Sequence, residues 1–275
     1  MTRPVITFTT DFGPAAPAVC RGVMYQIAPD ALIIDVNHQV PRFSIRDGAA
    51  TLIFALPHMP IGVHVAVVDP GVGTDRHGVA IRVARGDILV GPDNGLLMPA
   101  ADRLGGVVAA HVLENRGLML PVVTSTFHGR DVFAPIAAHL AMGTPIEAVG
   151  RALDPAELIR LEFPAPLIGE GFLDSQIVQV MIYGNVTFAG TPADLESAIG
   201  SLTPGRRIAL EFAGHGGRAA VREETVWEST FGRVPIGASV LLEDSEGHLS
   251  LADNQGNAAE RLALGVDRPV RIRPA

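Results

Sequence analysis

Val63-His64-Val65-Ala66-Val67-Val68-Asp69-Pro70-Gly71-Val72-Gly73-Thr74-Asp75-Arg76 reads as a buried β-strand that stops abruptly at an acid, a Pro-Gly turn and an arginine. Ligands of α/β sheets bind in the crevice at the carboxyl ends of the strands, so an aspartate placed there, followed by Pro and two glycines, suits a polar group exposed at a site. The same pattern also fits a capped strand closed by a structural Asp-Arg pair. The neighbouring segments decide which reading gains support.

Upstream, Val5-Ile6-Thr7-Phe8-Thr9 is β-branched and aromatic, ends in Thr10-Asp11-Phe12-Gly13, and precedes a helical pattern over Val19 to Ile27. Leu32-Ile33-Ile34-Asp35-Val36 is the next strand, and Ser44 is placed to cap a helix running through Leu56. Alternation of strand and helix predicts right-handed crossovers and a mostly parallel sheet. Val79 to Val83 and Ile88-Leu89-Val90 read as a strand pair ending in Gly91-Pro92-Asp93-Asn94-Gly95, and a further helix is expected from about Gly129 through Met142. From Leu161 to Gly171 helical periodicity fades and Pro and Gly accumulate, which puts a domain boundary there and divides the chain into residues 1–165 and 166–275. Beyond it, short segments at Ser175 to Ile182, Arg206 to Phe212, Val240 to Leu242, Leu249 to Leu251 and Val270 to Ile272 predict a compact antiparallel sheet or barrel. Only Pro192 to Ile199 and Ala258 to Leu264 look helical in this half.

Composition narrows the function classes. The 275 residues are 48% hydrophobic and 18% charged, the pattern of a folded globular chain. A net charge of −8 argues against nucleic acid or an anionic membrane surface as partner. The apolar runs are too short and too interrupted to span a bilayer, and Met1-Thr2-Arg3-Pro4 carries no secretory signal, so a cytoplasmic protein is expected. The one cysteine, Cys20, has apolar neighbours and reads as a small buried hydrophobe. No His-Glu-x-x-His helix or other ligand spacing occurs, so no metal is expected, and His58 and His64 read as surface or packing residues. Gly71-Val72-Gly73 is only a fragment of a dinucleotide-binding signature, with Arg76 in place of its last glycine.

Polar groups recur at the expected strand ends: Asp11, Asp69 with Arg76, Asp93-Asn94, and Phe127-His128-Gly129-Arg130-Asp131. An aspartate, an arginine and a histidine that converge can hold a water, the arginine orienting the other two. Taken in order, Thr9-Thr10-Asp11-Phe12-Gly13, Asp35-Val36-Asn37-His38, Val67 to Arg76, Pro92-Asp93-Asn94-Gly95 and Phe127 to Pro135 closely resemble the S-adenosyl-L-methionine hydrolase (SAM hydroxide adenosyltransferase) family, relatives of the fluorinase and chlorinase. Tyr183-Gly184-Asn185, Asp244-Ser245 and Asn254 to Ala259 extend the likeness into the second half.

The resemblance implies an α/β fold with a Rossmann-like N-terminal domain and a smaller C-terminal β-barrel-like domain. It also implies a homotrimer with substrate between neighbouring subunits, and conversion of S-adenosylmethionine and water into adenosine and methionine without a cofactor. It assigns water activation to Asp69, Arg76 and His128, ribose binding to Asp11 with Phe12 beside it, an adenine-side contact to Asn185, and a contact near the methionine carboxylate to Ser245.

The chemistry suits these side chains. Attack at the 5′ carbon expels a neutral thioether, so the leaving group needs no acid, and an aspartate held by an arginine is a weakened base, which shifts proton removal toward His128 or toward loss in concert with attack. Two features depart from the family pattern. The loop Pro14-Ala15-Ala16-Pro17-Ala18 lacks an acid and a tyrosine, and Met181 stands where an aspartate precedes the asparagine by four residues. They admit another 5′-substituted adenosine as substrate. A nucleophilic halogenase is the nearest alternative, although Gly129 stands where a halide-site serine would be. A nucleoside or S-adenosylmethionine binder without catalysis is the alternative of another class.

Overall fold

The structure is a computed structural model that describes residues 3–275. The chain divides into two compact units, Met1–Leu161 and Glu162–Ala275. In chain order the first holds β1 (Val5–Thr10), α1 (Ala16–Ile27), β2 (Leu32–Asn37), α2 (Ile45–Ala55), β3 (Val63–Val67), β4 (Gly78–Val83), β5 (Ile88–Pro92), α3 (Met98–Arg103), β6 (Val107–Val112), α4 (Ala134–Ala141) and β7 (Ala152–Leu153). Its sheet runs β2-β1-β3-β5-β4-β6-β7. The first four of these strands are mutually parallel. From β5 onward the pairing turns antiparallel, because β5 returns beside β4 as a hairpin and β6 and β7 extend that edge.

Period-two alternation distributes the core over two faces of the sheet. Ile6 and Phe8 of β1 and Val63, Val65 and Val67 of β3 join Cys20, Met24 and Phe133 in one buried cluster, where α1 and α4 pack on each other. The intervening residues face the side covered by α2 and α3, where a Cβ on Gly48 would lie 2.7 Å from Leu96 and 3.0 Å from Val68. Helix starts follow local chemistry. Pro17 occupies the first turn of α1, and the Ser44 hydroxyl accepts from the Asp47 N–H to cap α2.

His64 is a packing residue rather than a surface one. It is fully buried, in register with Thr7 on β1. Its Nδ1 accepts from the Thr7 hydroxyl at 2.9 Å and its Nε2–H donates to Asp87 at 2.8 Å. Asp87 also takes two bonds from the Arg85 guanidinium and one from the Gly62 N–H. Burial opposes its charge, yet these donors hold its carboxyl well below the usual carboxylate range. His58, in contrast, is exposed.

The second unit holds β8 (Leu167–Gly169), β9 (Phe172–Val180), β10 (Val186–Phe188), α5 (Pro192–Ile199), β11 (Arg207–Phe212), β12 (Val221–Trp227), β13 (Ser239–Glu243), β14 (Leu249–Asp253), α6 (Ala258–Arg261) and β15 (Pro269–Pro274). The order β10-β14-β13-β12-β11-β15-β9 closes into a seven-stranded barrel through the β9 to β10 pairing, with β8 added beside the start of β9. One pair, β12 with β13, is parallel, through Val226 opposite Val240 and Trp227 opposite Leu241. Leu173, Ile177, Phe188, Leu210, Leu251 and Ile272 fill the core. Thr191 and Asp194 form a reciprocal capping box at the start of α5. Among the described residues no helix is long and apolar enough to cross a membrane.

The Asp87 network yields a stability test. Asp87→Ala strips partners from a buried histidine and an arginine at once and should cost about 3 kcal/mol or more in urea unfolding at pH 7. Because the folded carboxyl is depressed, this contribution is complete above the ordinary aspartate pKa of about 4 and declines as pH falls below it.

Candidate functional site

β3 ends where its apolar run meets Asp69, and the segment that follows turns tightly. Val72 N–H bonds Asp69 C=O, and Thr74 N–H bonds Gly71 C=O. Gly73 is required in this turn twice over, since its φ is +79° and a Cβ there would lie 2.4 Å from the Ser125 carbonyl oxygen. The turn therefore lies directly on the segment leading to His128. Asn94 secures the strand end from the other side, its amide donating to the Val68 carbonyl at 2.9 Å.

Within this frame Asp69, Arg76 and His128 come together as one hydrogen-bonded unit. Arg76 Nε–H reaches the two Asp69 oxygens at 2.9 and 3.1 Å, Nη2 makes a further close bond to the carboxylate, and Nη2 also donates to His128 Nδ1 at 3.0 Å. The Asp69 and Arg76 side chains are only 5% and 12% exposed. The guanidinium lies over the buried Phe133 ring, 5.3 Å from its centroid, which favours the cation there. Because an arginine can only donate, His128 Nδ1 is the acceptor and Nε2 carries the ring proton. Burial, and then the positive charge of Arg76, lowers the His128 pKa; Asp69 and Asp131 pull the other way. The imidazole is thus neutral at pH 7. The expectation that His128 takes the water proton meets a constraint here, because Arg76 engages its lone-pair nitrogen.

His128 is held by an unusual helix start. Gly129–Phe133 is a π-helical turn, with the Ala134 N–H bonding the Gly129 carbonyl, before α4 continues in regular form. Asp131, fully buried inside it, accepts from Thr124 N–H, Thr124 Oγ1–H and Arg130 Nε–H. Burial raises its pKa, but these donors outweigh that and leave it lowered. Gly129 has no room for a side chain, since a Cβ would stand 2.7 and 2.8 Å from the ring of Phe12. Phe12 in turn meets Phe127 edge to face at 5.5 Å.

Asp11 and Phe12 follow β1, so Phe12 joins this strand end to the His128 turn. Asp11 Oδ2 accepts from the Phe43 N–H at 3.0 Å. Phe43 has a φ of 65°, uncommon for a bulky residue, and its side chain is exposed. Composition gave no sign of it. Asp93 is not part of the cluster: it is buried and accepts from the Ile159 N–H, and burial raises its pKa.

Asn185 and Ser245 belong to the second unit. Asn185 closes the β9 to β10 turn, its carbonyl accepting from Met181 N–H at 2.8 Å. Met181 is 41% exposed, and Ile182 and Tyr183 beside it are 91% and 77% exposed. Ser245 is an exposed residue of the β13 to β14 turn, which Asp244 braces by accepting from the N–H groups of Glu246 and His248 and from Thr187 Oγ1–H. Among the described residues no group of three or more His, Cys, Asp and Glu is placed to hold a metal ion. Cys20 is buried, which pushes its thiol up to about 12 and removes it as a nucleophile.

Profiles of the SAM hydroxide adenosyltransferase N-terminal and C-terminal domains match residues 6–150 and 176–271. The chain belongs to the SAM hydroxide adenosyltransferase family. An (R)-S-adenosyl-L-methionine hydrolase of Salinispora arenicola is 43% identical, with 98% of each chain covered. A fluorinase of Actinoplanes sp. is more distant, 29% identical over 99% of this chain and 98% of its own. A crystal structure of an uncharacterized conserved protein from Thermotoga maritima superposes with a TM-score of 0.87 at 32% identity, covering 98% of this chain and 99% of the other. In this family member the Asp-Arg-His contact draws on three parts of one unit: the end of β3, the turn after it and the π turn before α4.

The charge assignment is open to direct measurement. NMR titration of the His128 ring should give a midpoint below the ordinary value of about 6.5. Arg76→Met should raise that midpoint by removing the neighbouring cation, and Asp69→Asn should lower it further.

Proposed function

We propose that the protein hydrolyses S-adenosyl-L-methionine to adenosine and L-methionine. The observation that carries this reading is the Asp69, Arg76, His128 unit at the end of β3, in a chain whose full-length relatives at about two-fifths identity bear the name of that hydrolase.

In the proposed reaction a water donates a hydrogen bond to Asp69 and turns a lone pair toward the 5′ carbon. Arg76 fixes Asp69 from behind and neutralises it, so the local charge does not trap the sulfonium as a salt. His128, neutral and protonated at Nε2, is a donor to the water oxygen and limits its orientations. The O–C5′ bond forms as the C5′–S bond breaks, sulfur keeps the electron pair, and methionine departs as a neutral thioether. The water proton is lost in concert with attack and passes to solvent, one proton per turnover. Sulfonium charge is cancelled along this path, so a site that strips bulk water lowers the barrier.

For binding, Asp11 is proposed to accept the ribose hydroxyls beside Phe12, Asn185 to contact adenine and Ser245 to contact the methionine carboxylate. No cofactor or metal takes part in these steps. Gly129 supports hydrolysis over halogenation, since a serine there would displace Phe12.

A homotrimer with substrate at the subunit interface is proposed from the family likeness, and the strongly exposed Ile182 and Tyr183 next to Asn185 are apolar surface that such an assembly would bury. Sedimentation equilibrium should give three times the chain mass; a monomer would reject this part. The cytoplasm is the proposed compartment, in keeping with a single cysteine that has no partner in the chain.

Chromatography of a reaction free of halide and added metal tests the activity. Adenosine and methionine should appear in equal amounts, and Asp69→Ala or His128→Ala should cut turnover by roughly 100-fold or more with a smaller loss in substrate affinity. A 5′-halogenated nucleoside formed when halide is present would make it a halogenase. Tight binding with no product would leave a binding protein.

A further inference from the structure

A second histidine is built into the loop that carries Asp11. His38, just after β2, contacts that loop twice: Thr10 Oγ1–H donates to its Nδ1 at 2.9 Å, and its carbonyl accepts from the Gly13 N–H at 2.9 Å. Thr10 Oγ1 in turn accepts from the Phe12 N–H at 3.2 Å, so the side-chain and main-chain contacts bracket Asp11. The ring is fixed from its other nitrogen. Nε2–H donates to Asp35 at 2.9 Å, and Arg21 of α1 pairs with the other Asp35 oxygen. The imidazole also rests edge-on against buried Phe8, with centroids 4.9 Å apart. Both His38 ring nitrogens and the Thr10 hydroxyl, as donor and as acceptor, are engaged, which favours one hydrogen-bonded arrangement of the turn.

We propose that His38, oriented by Asp35, is a positioning residue that sets the Asp11 carboxylate for the ribose 2′,3′-diol and thereby makes the site selective for ribonucleosides. This rests on the reading of Asp11 as the diol acceptor. The carboxylate has one oxygen engaged by the Phe43 N–H, so its remaining acceptor directions depend on how the Thr10 to Gly13 turn is held. A hydrogen bond to a charged group loses strength steeply when misaligned. His38 itself does not need to touch the nucleoside.

The test compares the affinities of adenosine and 2′-deoxyadenosine by calorimetry. A diol bound to a carboxylate should give the unsubstituted protein a preference of about tenfold or more for adenosine. His38→Phe keeps a ring against Phe8 but removes both hydrogen bonds, and Thr10→Val removes the hydroxyl alone; each should reduce the preference to about threefold or less. His38→Asn retains an acceptor near the Nδ1 position and should restore part of it. The double substitution of His38→Phe with Thr10→Val should be no worse than either alone, because both break one chain. A loss of packing would lower adenosine and deoxyadenosine affinity together and leave their ratio intact. If Asp11→Asn abolishes the preference while His38→Phe and Thr10→Val retain it, the role of His38 is overturned and that of Asp11 stands. If Asp11→Asn retains the preference, the diol reading falls and the His38 proposal with it.

Discussion

The Arg76 guanidinium is the contact on which the first unit's polar end depends. It closes on Asp69 at the end of β3, holds His128 at the start of the π turn and lies over Phe133 from the shared core. Two segments about 50 residues apart in sequence, 69–76 and 128–133, thus meet at one planar cation. Such a cation in a nearly closed position needs its charge answered, and Asp69 answers it with both oxygens. Taking away either partner leaves a charge with little water to receive it, which is why the geometry is tightly specified. The same contact fixes the tautomer of His128, so one interaction sets position, charge state and proton placement together.

β1 shows how a polar end is supported without loosening the core. It is flanked by two chains of the same chemistry, Thr7-His64-Asp87 with Arg85, and Thr10-His38-Asp35 with Arg21. In the first, Thr7, His64 and Asp87 are all buried. The second lies at the carboxyl end, with Asp35 and Arg21 each about one third exposed. In both, a threonine hydroxyl donates a hydrogen bond to Nδ1 and Nε2–H points at an aspartate. The buried one ties the middle of β1 to β3, and the outer one ties the end of β1 and its loop to the residue after β2.

Much of this was legible from residue patterns. The alternation of strand and helix up to Leu56 follows from local chemistry that the structure repeats: β-branched runs, Pro17, and Ser44 before a helix. The convergence of Asp69, Arg76 and His128 followed from placing polar residues at strand ends, with the family resemblance supplying which of them to join. Less local features were hidden. Val221–Trp227 contains Arg222, Glu223 and Glu224, which have little strand preference, and it is a strand because β11 and β13 pair with it. The burial of His64 depended on Asp87, itself held by Arg85, being within reach of its ring, a tertiary fact. Phe43 enters the site through its backbone N–H, which its side-chain type does not advertise.

The π turn at Gly129–Phe133 has a consequence for how such a site is tuned. A π turn holds about one residue more than an α turn, and each residue of an α-helix advances the chain by about 100° of rotation. The turn therefore acts as a phase offset between α4, whose face is dictated by the core, and His128, whose direction is dictated by Arg76. Shortening it by one residue would leave α4 seated as before while swinging the imidazole to a different side of the helix axis. The histidine's aim is in this sense a matter of residue count, separable from the packing that holds the helix down.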